Sequence, residues 1–228
     1  MKAIAIATTK GACLPVLAAS ITFYVPQDVT VFLAGSEIIL PRHRTINLPN
    51  DADNFGDAYN AVVHWAASID ERLEDGMGLY LHGPTGVGKT HLAQAALTRI
   101  VKKHNVSGLF ITADRYTDMV YDEMRNSGEL PEPYSDPNLL KYMRRTFDVL
   151  VFDGLGSERA TTEFARNAII SLIDNRYEEK LITVITSILP PQDLSRTYGK
   201  RIASMLQESC FFIKVDGQDH RTVFTNAG

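Results

Sequence analysis

A chain of 228 residues, 45% hydrophobic and 22% charged, can bury one sizeable core with a small appendage beside it. Its formal net charge of −4 provides no global basic field, so any nucleic-acid contact has to come from a local patch. Two cysteines, Cys13 and Cys210, lie far apart without zinc-site spacing, and no stretch reaches the ~18 apolar residues of a membrane span.

Lys2, the apolar run Ala3–Ala7 and the small residues Ala18-Ala19-Ser20 faintly resemble a secretory signal. Lys10-Gly11 and Pro15 interrupt the apolar stretch, so the expectation is a reduced, cytoplasmic chain. Ile21, Phe23 and Val25 alternate as a strand, Pro26-Gln27-Asp28 turns the chain, and residues 29–33 predict a second strand, with a third over 37–40. Residues 1–46 thus form a β-rich segment too small for its own core, which has to pack on residues 47–228 or on another protein.

Residues 47–76 carry Asp51, Asp53, Asp57, Asp70, Glu71, Glu74 and Asp75 against a single Arg72. Ala58, Val62, Trp65, Ala66 and Ile69 recur at helical spacing, which predicts an amphipathic helix with a solvated acidic face rather than an acidic docking site. From residue 78 onward, apolar runs alternate with helical patterns. Strands are expected over 78–82, 109–112, 149–152, 182–186 and 211–215, and helices over 89–104, 114–126, 162–179 and 192–207. Continuous apolar strands between helices predict an α/β fold with a five-stranded parallel sheet covered on both faces, and the glycine-rich loop at 83–90 makes the expected type P-loop, RecA-like.

The first of these strands runs into Gly83-Pro84-Thr85-Gly86-Val87-Gly88-Lys89-Thr90, followed by His91, which satisfies the phosphate-binding pattern in its strand–loop–helix context. The glycines let backbone N–H groups turn inward around phosphate oxygens, and the following helix presents its positive end. Lys89 is expected to reach the β and γ phosphates of ATP, and the Thr90 hydroxyl to ligate Mg²⁺. Val149-Leu-Val-Phe-Asp153 places a carboxylate at the carboxyl end of an apolar strand, where P-loop ATPases hold their magnesium. The extra strand between the two motifs, and the lack of a basic lid, argue against a nucleotide kinase.

Gly83-Pro-Thr-Gly-Val-Gly-Lys-Thr-His-Leu-Ala93, Val151-Phe-Asp-Gly-Leu-Gly156 with Glu158, and Ile173-Asp-Asn-Arg-Tyr177 resemble the DnaC/IstB-type AAA+ ATPases. Thr183-Val-Ile-Thr-Ser187, Lys200-Arg-Ile-Ala-Ser204 and Gly217-Gln-Asp-His-Arg221 continue the likeness in the same order. That family comprises bacterial and phage helicase loaders and transposition helper ATPases. The resemblance implies ATP and Mg²⁺ as cofactors, ATP-driven self-assembly, and a replicative helicase or a transposase as partner. A non-hydrolysing ATP-binding adaptor is the alternative.

Three positions depart from the family pattern. Gly154 stands where a second acid polarises the attacking water, Ile188 where an asparagine senses the γ-phosphate, and Met205 where an arginine reaches a neighbour's nucleotide. Arg201 is the remaining candidate for that trans role, the alternative being a helix cap or a surface ion pair, and Glu158 is a candidate substitute carboxylate. Since such arginines contribute roughly 10³–10⁵ in rate, binding should survive better than turnover, and an acid restored at Gly154 is expected to speed hydrolysis. The long stretch 121–146 ends in Lys141-Tyr142-Met-Arg144-Arg145, where Tyr142 stacking and the three cations could hold single-stranded DNA. A solvated helix end is the alternative there.

Overall fold

The computed structural model describes residues 14–18, 21–25, 30–32, 52–104, 106–125, 140, 143–156 and 162–217. Three short strands open the chain: β1 (Leu14–Ala18), β2 (Ile21–Val25) and β3 (Thr30–Phe32). β1, which the alternation did not suggest, pairs antiparallel with β2, Leu14 opposite Val25 and Ala18 opposite Ile21. β3 pairs instead with the edge of the main sheet, Val31 opposite Leu109. The strand expected over 37–40 lies outside the described residues.

The core follows as α1 (Ala52–Ala67), α2 (Ile69–Asp75), β4 (Gly78–His82), α3 (Lys89–Lys103), β5 (Gly108–Thr112), α4 (Ala113–Arg125), β6 (Val149–Leu155), α5 (Glu163–Glu178) and β7 (Ile182–Ser187). A 3₁₀ turn (Pro191–Asp193), α6 (Leu194–Tyr198), α7 (Lys200–Ser209) and β8 (Cys210–Lys214) complete it. The helix expected over 192–207 is broken. Gly199 adopts φ 94 and ψ 160, ending α6 and turning the chain into α7.

The main sheet runs β3-β5-β6-β7-β4-β8, with β5 to β8 and β4 mutually parallel and β3 antiparallel at one edge. A parallel sheet needs cover on both faces, and alternation along each strand supplies two apolar surfaces. Leu79, Leu81, Val149 and Val151 face the layer built from Ala58, Val62, Trp65 and α3 residues such as Leu92 and Ala96. Tyr80, Leu150, Phe152 and Ile185 face the layer that holds Tyr116, Ala168, Ile169 and Leu172. The expected apolar stripe of α1 and α2, Ala58 to Ile69, is buried throughout. Trp65 additionally donates its indole N–H to the Met77 carbonyl at 2.9 Å, which holds the lead-in helix against the start of β4.

Arg176 on α5 is fully buried. Its guanidinium donates to the carbonyls of Met143 (2.7 Å), Phe147 (3.0 Å) and Ile182 (2.8 Å) and to the Thr183 hydroxyl (3.0 Å). Burial lowers its pKa from its ordinary value to about 9, partly offset by the charge of Asp148. The planar fork of donors thus clamps the chain entering β6 and the start of β7 to one helix. Arg176→Met keeps bulk but strands three buried carbonyls, so unfolding by urea is expected to show a loss of about 3 kcal/mol or more. A loss below about 1 kcal/mol would mean that water or relaxation replaces the clamp.

Candidate functional site

The carboxyl ends of β4, β6 and β7 meet at one rim of the sheet. Gly83 to Gly88 form the loop that leaves β4, and Lys89 and Thr90 begin α3, with His91 one residue further in and Val87 buried beneath the loop. Gly83 has φ 149 and packs so closely that a Cβ would stand 2.2 Å from the Val215 carbonyl oxygen, so no larger residue fits. Pro84 and Thr85 are both exposed at the loop's outer side.

Lys89 is 9% exposed and its ammonium donates to the carbonyls of Gly83 (2.7 Å) and Pro84 (2.5 Å). The cation therefore lies across the mouth of its own loop. A phosphate entering the loop offers charged oxygens in place of neutral carbonyls, and the attraction of opposite charges draws the ammonium toward it. His82, at the end of β4, has its pKa lowered, first by burial and then by Lys214, against a raising effect of Asp216. The shift favours the neutral imidazole over a further cation beside Lys89.

Asp153 lies near the end of β6. Its Oδ1 accepts the Thr90 hydroxyl at 2.7 Å and the Thr186 hydroxyl at 2.6 Å. Two hard oxygen donors, Thr90 Oγ1 and the Asp153 carboxylate, thus sit in contact beside the phosphate loop, a donor set suited to a magnesium ion that keeps most of its water. Among the described residues no cluster of three or more His, Cys, Asp or Glu side chains competes for a metal.

The three departures from the family pattern acquire physical meaning here. Gly154 has φ 86, and the pairing of β6 with β7 shifts register between Phe152 and Leu155. Its backbone N–H turns toward β7 and donates to Thr186 Oγ1 at 2.9 Å. Ile188 is 46% exposed just past β7, held there because Ser187 Oγ donates to the Leu155 carbonyl (2.6 Å) and accepts from the Leu189 N–H (2.9 Å). Met205 is buried in the core with Ile202 and Leu206, so that position of α7 offers nothing to a neighbour.

The remaining candidates divide. Arg201 donates from Nε (3.2 Å) and Nη2 (2.6 Å) to Asp174 Oδ1 on α5, so the side chain has a local ion pair, yet it remains 68% exposed. Arg144 donates to the Tyr116 hydroxyl at 3.2 Å, while the exposed Arg145 donates twice to the Asn175 side-chain oxygen (3.1 and 3.0 Å). Lys141, Tyr142 and Glu158 lie outside the described residues. Thr186, Asp174 and Asn175 carried no role in the sequence reading, although each falls inside a motif block that it singled out.

Comparison with known proteins agrees with this architecture. A family model described as IstB-like ATP binding protein matches residues 53–221. The replicative helicase loader DnaI of Bacillus subtilis (strain 168) is 28% identical over 158 residues, which cover 64% of this chain and 48% of that protein. The chain therefore spans about half the length of the curated relative it matches. Among solved structures, one of the DnaC helicase loader superposes with a TM-score of 0.64 at 27% identity, covering 75% of this chain and 97% of that one. One of DnaI gives 0.58 at 25% identity, covering 77% and 90%.

The left-handed backbone at Gly154 weighs against a side chain at that position. A Cβ in that conformation costs about 1–2 kcal/mol, and relieving it would rotate the N–H away from Thr186. Gly154→Glu is expected to lower stability by that amount in urea unfolding and to leave ATP turnover at or below the parent rate. A variant that is both stable and faster would contradict this reading of the bulge.

Proposed function

Because this chain belongs to the family of IstB-like ATP-binding proteins, we propose that it is a magnesium-dependent AAA+ protein of DNA replication that loads a replicative helicase. The observation that carries the ATP and magnesium part is the contact of Thr90 Oγ1 with Asp153 Oδ1 at 2.7 Å, directly behind a phosphate loop that Lys89 closes. Gly83 to Gly88 would hold the phosphates through their N–H groups, with Lys89 on the β and γ phosphates. Thr90 and Asp153 would hold the metal, which when bound neutralises phosphate charge. The helicase part is supported by the likeness to DnaI and DnaC, both described as helicase loaders in the relatives that match.

ATP state would act through assembly more than through turnover. Gly154 supplies no carboxylate, and Ile188 no polar group, to the γ-phosphate or its water. Hydrolysis by the isolated chain is therefore expected below about 1 s⁻¹, the lower end of ordinary turnover. Arg201 is the candidate contributor to a neighbour's nucleotide. Its pair with Asp174 is an exposed one, and exposed pairs are worth about 0–1 kcal/mol, so a γ-phosphate could outcompete the carboxylate. Gly154, Ile188 and the burial of Met205 also support a second reading, an ATP-binding adaptor that does not hydrolyse.

Size-exclusion chromatography with light scattering tests this, using the chain alone and with the replicative helicase of its host. The expected result is association with a non-hydrolysable ATP analogue, little with ADP or without nucleotide, and none with Lys89→Ala. Arg201→Ala should bind nucleotide but fail to self-assemble. A chain that stays monomeric and ignores the helicase in every nucleotide state would overturn the loader reading and leave the adaptor, and capture of a transposase in its place would favour a transposition helper.

We also place a single-strand DNA contact at the 141–145 stretch, supported by the exposure of Arg145, whose side chain is held by a neutral amide. Arg144→Ala/Arg145→Ala should weaken binding and flatten its dependence on salt, by about 0.7 in log–log slope for each phosphate that is no longer neutralised. Binding with an unchanged slope would move the DNA site elsewhere.

A further inference from the structure

Thr186 has one hydroxyl and two partners at the site. It lies near the end of β7 with 2% of its surface exposed, accepts from the Gly154 N–H at 2.9 Å, and stands 2.6 Å from Asp153 Oδ1. A carboxylate oxygen has no hydrogen to offer, so the Thr186 hydrogen has to lie between the two oxygens. The Gly154 N–H takes an acceptor position on the same hydroxyl, which fixes the hydrogen's direction. A short chain of donors results, running Gly154 N–H to Thr186 O–H to Asp153.

We propose that this relay makes Thr186 the positioning residue of the magnesium site, with Gly154 serving it as a backbone donor rather than marking a lost acid. The inference rests on the reading of Asp153 and Thr90 as the metal's protein ligands. Among the described residues, Thr90 supplies the other hydroxyl that restrains the Asp153 carboxylate. Both hydroxyls on Oδ1 oppose rotation of the carboxylate about its Cβ–Cγ bond, which would leave Oδ2 for the ion or its water. The Thr90 hydrogen is also committed to Oδ1, which leaves the Thr90 lone pairs for the cation. The left-handed backbone at Gly154 is what aims the N–H, so a side chain at 154 and the relay exclude each other. Donors polarise one another along such a chain, and the burial of Thr186 keeps water from replacing it.

The test measures affinity for a fluorescent ATP analogue in EDTA and in Mg²⁺, and takes the gain that Mg²⁺ provides. Thr186→Val keeps the β-branched shape and removes only the hydroxyl. The EDTA affinity of Thr186→Val should stay within about twofold of the parent while the Mg²⁺ gain falls about tenfold, the size of a lost hydrogen bond to a charged group. Thr186→Ser should restore the gain, and Gly154→Ala should lose it despite an intact threonine. If Thr186→Val folds poorly by circular dichroism, Thr186→Ala provides the same hydroxyl deletion. An unchanged Mg²⁺ gain in the hydroxyl deletion overturns the relay and leaves ATP binding standing. Equal losses in EDTA and Mg²⁺ also overturn it, because they make Thr186 a purely structural group. A parent that binds no nucleotide under either condition overturns the ATP reading, and the relay with it.

Discussion

One oxygen atom organises the working edge of this protein. Asp153 Oδ1 accepts hydroxyls from Thr90 at the start of α3 and from Thr186 near the end of β7, joining the phosphate loop's helix to two neighbouring strands. Even a partly buried carboxylate is costly unless its lone pairs are met. Here Oδ1 is met by Thr90, which a nucleotide–metal complex would also engage, and by Thr186, so cofactor binding and local architecture share a contact. At the start of the loop, Gly83 approaches Val215 so closely that only glycine fits.

On the proposed reading, the chain keeps what holds ATP and lacks much of what attacks it. The phosphate loop, Lys89, Thr90 and Asp153 form a ground-state binding site. The positions that would act on the γ-phosphate or its water hold a left-handed glycine, an exposed isoleucine and a core methionine. Such a distribution suits a protein whose nucleotide reports a state to a partner. A ligand shifts an equilibrium only by its differential contacts with the two states, and an arginine reaching the γ-phosphate across an interface would be such a contact. Arg201 on its exposed Asp174 pair is positioned to exchange partners at low cost, whereas Arg176, two residues along α5 from Asp174, is clamped and can take no such part.

Much of the fold was legible because its signals are local. Apolar runs bounded by turn residues predicted each of the parallel strands to within about three residues of its observed ends, and the glycine-rich loop announced itself by pattern and context. The helix over 192–207 was read as continuous because its apolar spacing survives across Gly199, where the chain in fact turns at φ 94. The pairing of β3 with β5 was left open, since three residues of strand carry no information about which edge they join. Thr186 was invisible for a related reason. A threonine inside an apolar strand reads as a β-former, and its task depends on a register shift in the neighbouring strand. The same shift converts Gly154 from an apparent loss into a donor, and the packing of α7 converts Met205 from an apparent loss into core.

The proposed roles of Arg201, Thr186 and Gly154 all require that Lys89, Thr90 and Asp153 form one nucleotide–metal site. A crystal structure with a non-hydrolysable ATP analogue and Mg²⁺ would show whether they do. The Lys89 ammonium is expected to leave the carbonyls of Gly83 and Pro84 for the β and γ phosphates, with the metal between Thr90 and Asp153 and the Thr186 contact intact. A structure in which Lys89 stays on its own loop, or in which the triphosphate binds elsewhere, would contradict that arrangement.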